Sequence, residues 1–100
     1  MAPGELCSVE WGVGNYRVVK ILVVEDGLVH LRLYANRFRE RPFTIDPSEL
    51  RLAVEHVPLE AQDFAAWIPG VIGYEPVEPE ELARFEIWQS AGRPTSPVGG

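Results

Sequence analysis

Tyr16-Arg17-Val18-Val19-Lys20-Ile21-Leu22-Val23-Val24-Glu25-Asp26-Gly27-Leu28-Val29-His30-Leu31-Arg32-Leu33-Tyr34-Ala35-Asn36-Arg37-Phe38 sets two aliphatic, β-branched runs on either side of Glu25-Asp26-Gly27. That is the pattern of a β-hairpin. A two-residue Asp26-Gly27 turn would pair Glu25 with Leu28 and Val23 with His30, but would set Lys20 opposite Leu33 and mix both faces. A three-residue loop with Gly27 in a bulge pairs Val24 with Leu28. It gathers Val19, Ile21, Val23, Val29, Leu31 and Leu33 on one face, and sets Lys20 with Arg32, Leu22 with His30 and Val18 with Tyr34 on the other. A one-residue slip moves every side chain across a sheet, so the apolar segregation favours the bulged loop. The opposed Lys20 and Arg32 are like charges. They call for a nearby carboxylate or a bound anion, and the half-polar face calls for a cover.

Around this hairpin the chain has room for one domain. It has 100 residues, 46% of them apolar, enough for a core of ordinary size. No run approaches the roughly 18 apolar residues of a membrane span, and the first residues have no basic-then-apolar signal pattern. Cys7 is the only cysteine, so an intrachain disulfide and a cysteine-based zinc site are excluded, and a cytoplasmic setting is expected. The net charge of −6 is uneven: residues 1–44 carry six basic against five acidic side chains, and residues 45–100 carry three against ten. The acidic half argues against general nucleic-acid binding and leaves a basic patch on the first half.

In chain order, Glu5 to Trp11 alternates as a strand, with Cys7, Val9 and Trp11 inward, and Gly12-Val13-Gly14-Asn15 is a turn. Phe43 to Ile45 reads as a short strand. Asp46-Pro47-Ser48-Glu49-Leu50 has the grammar of a single helical turn, with Asp46 as its cap, and feeds a strand over Arg51 to Val57. Pro58 to Trp67 is expected as a short helix, and Val71 to Glu75 as extended chain. Glu78-Pro79-Glu80-Glu81 opens a helix whose Leu82, Phe85 and Trp88 form an apolar stripe that Gly92 terminates. The expectation is a single α+β domain over residues 1–92, with a sheet portion at 4–57 and a helical cover at 58–91, followed by a flexible tail at 93–100.

The start Gly4-Glu5-Leu6, the long hairpin and the helical turn before a late strand resemble a small SH3-like β-barrel. This implies a barrel or strongly bent antiparallel sheet closed by two C-terminal helices. Pro3-Gly4-Glu5-Leu6-Cys7-Ser8-Val9-Glu10-Trp11 and Tyr16 to Leu22 also resemble the opening strands of bacterial polymorphic-toxin immunity proteins. That resemblance covers residues 3–22 and implies a partner-binding module without catalytic residues.

The most pointed functional stretch is Tyr34 to Pro42. Arg37, Arg39 and Arg41 fall at every second position, on one side of an extended chain, beside Tyr34 and Phe38. Arginine forks bind carboxylates bidentately, and aromatic rings stack on guanidinium groups or bases. The competing explanation is that these arginines pair internally with the acidic second half. The candidate binding residues are Lys20, Arg32, Tyr34, Arg37, Phe38, Arg39 and Arg41. His30 and His56 have no metal-binding spacing and read as surface or cross-strand histidines. Cys7 reads as an inert buried thiol. Glu75, Glu78, Glu80 and Glu81 could hold a cation, or could simply suit a helix start. The aromatic stripe reads as core, or as one wall of a peptide groove between helix and sheet. No residue constellation points to catalysis, a metal or a cofactor. The expectation is therefore a non-catalytic, monomeric or weakly dimeric module that binds a protein partner. A toxin bound by charge complementarity and single-stranded RNA are the alternative ligands.

Overall fold

Asp26 and Gly27 both take positive φ, 49° and 74°. They form the two-residue turn joining β2 (Asn15–Glu25) to β3 (Leu28–Tyr34) in the computed structural model, which describes residues 1–92. The positions expected as a tail, 93–100, lie outside the described residues. Glu25 pairs with Leu28, Val24 with Val29 and Val23 with His30. Beyond a bulge at Leu22, Ile21 pairs with Leu31, Lys20 with Arg32 and Val19 with Leu33. The three-residue loop expected from the side-chain pattern is thus corrected. Asp-Gly readily supplies the two positive φ angles of the turn whose twist suits paired strands. The extra residue needed to bring Lys20 opposite Arg32 is taken up inside β2 instead. Each of the two candidate registers is correct for one half of the hairpin.

β1 (Glu5–Gly12) pairs with β2, and β4 (Leu52–Glu60) with β3. β5 (Gly70–Tyr74) returns to the outer side of β1. The result is a five-stranded antiparallel sheet in the order β4-β3-β2-β1-β5. Every pairing contains a register shift, and such irregularities bend and twist strands. The sheet is nonetheless open: β4 and β5 form its two edges and do not meet. The architecture is mixed α+β, without the closure of a barrel.

Three boundaries differ from the sequence reading. Pro58, Leu59 and Glu60 continue β4, and only Ala61–Ala65 is helical (α1). The Ala61 N–H donates to Gly27 O at 2.8 Å, holding this corner to the hairpin tip, and an edge strand can accommodate Pro58. Phe43–Ile45 forms no strand. The C-terminal helix begins as a 3₁₀ turn, Pro79–Leu82, before α2 (Ala83–Ser90). The turn at Pro47–Glu49 is as expected, with the Ser48 N–H donating to Asp46 Oδ1 at 3.0 Å.

β2 is buried on both faces: Val18, Val19, Lys20 and Ile21 are fully covered. One face packs Cys7, Val9, Val19, Ile21, Leu31 and Leu59 against Phe64 of α1, with Trp67 beside them. On the other face, Leu6, Val18 and Tyr34 pack against Phe38, Ile45, Leu50 and Ile72 at one end. The 3₁₀ turn and α2 cover the same face further along, over Arg32 and His30.

Candidate binding surface

The polar face of the hairpin is occupied by the chain itself. Lys20 is fully buried, and its ammonium donates to Glu81 Oε1 at 2.8 Å, Glu75 Oε1 at 3.0 Å and Pro76 O at 3.1 Å. Its three N–H donors thus meet acceptors on three residues, with Glu81 Oε2 also within 3.2 Å. Arg32 Nη1 donates to Glu81 Oε2 at 2.7 Å. The Glu78 N–H donates to Glu81 Oε1 at 2.9 Å. Glu81, the third residue of the 3₁₀ turn, therefore bridges the two like charges set opposite each other across the hairpin. Burial penalises the Lys20 ammonium, but the bonds and charges of Glu81 and Glu75 outweigh it and raise its pKa. Burial likewise disfavours the Glu81 carboxylate, yet the Glu78 N–H, Lys20 and Arg32 hold its pKa below the ordinary value. The acidic run does hold a cation, and that cation is Lys20. Tyr34, also buried, has its phenol pushed up first by burial. Lys20, Arg32 and Tyr34 therefore face inward, toward Glu81 and the core.

The arginines at 37–41 divide. Arg41 Nη1 donates to Ser8 Oγ at 2.9 Å and to Ser8 O at 3.3 Å. Its guanidinium lies 5.1 Å from the Tyr16 ring centroid, and Nη2 is 3.9 Å from Glu10 Oε1. Arg37 and Arg39 are exposed, and among the described residues neither makes an ion pair. The arm that carries them is pinned between them. Tyr16 N–H donates to Phe38 O at 2.8 Å and Phe38 N–H to Tyr16 O at 2.9 Å, while Phe38 packs on the core. Phe43, on the same arm, is 85% exposed. Pairing with the acidic second half thus accounts for Lys20 and Arg32, but not for Arg37 and Arg39.

Two further residues lie nearby: Arg17, which is buried and was not singled out from sequence, and Trp11, expected to face inward but 40% exposed. Arg17 donates through Nε and Nη2 to Tyr34 O at 3.2 and 2.7 Å. Its guanidinium lies 4.9 Å from the centroid of Trp11, whose ring packs edge-on against Trp67. Burial, then the charge of Arg37, pushes the Arg17 pKa down. The signal was local: Arg17 pairs with Val9 across β1 and β2, and Trp11 stands two residues beyond Val9, in the register shift before the first turn.

Cys7 lies in the apolar cluster, and burial, followed by the charge of Glu5, raises its thiol to about 11. Such a thiol carries almost no thiolate at neutral pH. His30 and His56 meet across β3 and β4, the cross-strand alternative of the sequence reading; His30 is buried and His56 half-buried, with Phe85 and Trp88 of α2 packed on both rings. Among the described residues no cluster of histidine, cysteine and carboxylate side chains could hold a metal ion. Nor is any described helix long and apolar enough to cross a membrane. Comparison of the chain with protein-family models, curated proteins and solved structures returns no match.

Proposed function

We propose that the protein is a non-catalytic binding module that recognises an acidic protein surface through Arg37 and Arg39, on the arm anchored by Phe38. The observation that carries this reading is the division among the cations. Lys20, Arg32 and Arg41 are each held by acceptors of the same chain, whereas Arg37 and Arg39 are held outward on a pinned segment with no ion-pair partner among the described residues. Two guanidinium forks two positions apart suit carboxylates presented along an extended or helical partner segment. The arm's backbone bonds reduce the ordering cost on binding. Trp11 and Phe43 add partly exposed aromatic area near or on the arm, the kind of side chain that anchors interfaces.

The test is affinity capture by the wild-type chain and by the double variant Arg37→Glu, Arg39→Glu, with unfolding measured in parallel. A specific partner lost with the double variant, at unchanged melting temperature, supports the reading. A partner retained by the double variant removes it. Binding of single-stranded RNA at low ionic strength, falling steeply with salt, would assign the arm to nucleic acid instead.

A further inference from the structure

His30, which is buried, and His56, which is half-buried, are titratable groups that the arginine surface does not use. His30 is fully covered, and its Nδ1 lies 2.9 Å from His56 Nε2. The two imidazole planes are within 8° of each other, with centroids 5.1 Å apart. This near-coplanar, edge-to-edge placement is what an N–H···N hydrogen bond requires. α2 closes over the pair: the Phe85 and Trp88 ring centroids lie 4.7 and 4.6 Å from that of His30, and 6.1 and 5.8 Å from that of His56. His56 and Trp88 also line a groove of about 410 Å³ between β4 and α2, with Val54 and Ile87.

The protonation chemistry of this contact has two steps. In the neutral pair, one ring donates its N–H to the lone pair of the other. One added proton preserves the bond, because an imidazolium can donate to a neutral imidazole. Glu25 Oε1, 3.8 Å from His30 Nε2, stands near that charge. A second proton removes the accepting lone pair, so that two N–H groups and two positive charges would meet across 2.9 Å. Among the described residues, Glu25 faces one of the two charges, and the other charged groups around the pair are already paired. On β3, Arg32 adds positive charge and is already paired with Glu81 of the 3₁₀ turn, as is Lys20 of β2. On β4 and α2, Glu55 and Arg84 line the same groove as His56 and neutralise each other at 3.1 Å.

We propose that α2 is an acid-released cover: double protonation of the His30–His56 pair breaks its hydrogen bond and lifts Phe85 and Trp88 from the sheet, widening the groove between β4 and α2. Burial alone already holds the His56 pKa below its ordinary 6.5. A depressed histidine pKa means that the open state binds more protons, so the closed form loses stability as pH falls below that value.

The experiment is an NMR titration of the full chain from pH 8 to 4.5, following the Trp88 indole N–H, the α2 amides and the β2 amides. In the range of the second protonation, the released population of α2 grows tenfold per pH unit while β2 amides stay protected. In His56→Gln, a neutral partner remains and cannot take a second charge, so the transition disappears. If that variant fails to fold, His56→Asn serves for the same comparison. The proposal is overturned if α2 stays closed to pH 4.5, if it opens equally in the variant, or if α2 and β2 lose protection together.

Discussion

Lys20 and Arg32 lie within nineteen positions of Arg37 and Arg39, yet the two pairs end in opposite situations. The first pair faces a carboxylate brought from the far end of the chain, and Lys20 is wholly buried. The second pair stays in water on a loop arm, without an ion-pair partner among the described residues. The difference does not come from residue type. It comes from what the fold lays over each position: the 3₁₀ turn with Glu81 covers the sheet, whereas among the described residues no carboxylate pairs with Arg37 or Arg39. Positive charge that folding neutralises is part of the structure, and positive charge that folding leaves exposed is what remains for a partner.

Removing Glu81 breaks the comparison most severely. Glu81→Gln leaves Lys20 buried with only half-exposed Glu75, and leaves Arg32 without its carboxylate; loss of one member of a buried ion pair costs about 3 kcal/mol or more. Urea unfolding measures it, and a loss below about 1 kcal/mol would show that the internal pair is no more demanding than a surface one.

The same contrast has a pH signature. The Glu81 pKa is depressed below its ordinary 4.5, so its contribution is present above that pH and is lost as pH falls through the lower folded value. The Lys20 pKa is raised above its ordinary 10.5, so its contribution is present below that pH and disappears as pH rises through the higher folded value. Unfolding free energy should therefore decline at both extremes. Both declines should weaken in a Lys20→Met, Glu81→Gln double variant.

Arg41 sharpens the comparison because it stands between the two classes. Arg41→Met forfeits the bonds to Ser8 and should cost about 1 kcal/mol in urea unfolding. The smallest effect belongs to Arg37→Glu with Arg39→Glu, which should move the unfolding free energy by no more than about 0.5 kcal/mol. A loss as large as that of Glu81→Gln would place these arginines among the structural cations.

The sequence carried part of this. The facing Lys20 and Arg32, and their need for a carboxylate, follow from period-two alternation on two strands. Which of fifteen acidic residues would answer is not a local property. Glu81 is marked locally only as a helix-start glutamate, and its second role depends on where the turn before α2 lands. The histidines illustrate the same limit: alternation places His30 beside Arg32 on the polar face, but cannot show that Phe85 and Trp88 will cover it. The hairpin register was ambiguous for a different reason. Turn chemistry and core pattern each demanded their own alignment, and both demands were met.

The bulge at Leu22 has a consequence for how such a chain finds its fold. The Asp26-Gly27 turn can close early, in the alignment its own geometry prefers, and pair the tip of the hairpin before any core exists. Carried to the base without interruption, that alignment would send Lys20 to Leu33 and mix polar with apolar side chains on both faces. One unmatched residue lets the strands change phase partway down, so fast local closure does not commit the slower long-range pairing. Deleting Leu22 should leave the turn intact and let its alignment run unbroken into Ile21 opposite Leu31 and Lys20 opposite Arg32, a regular hairpin that has lost the bend of the bulge.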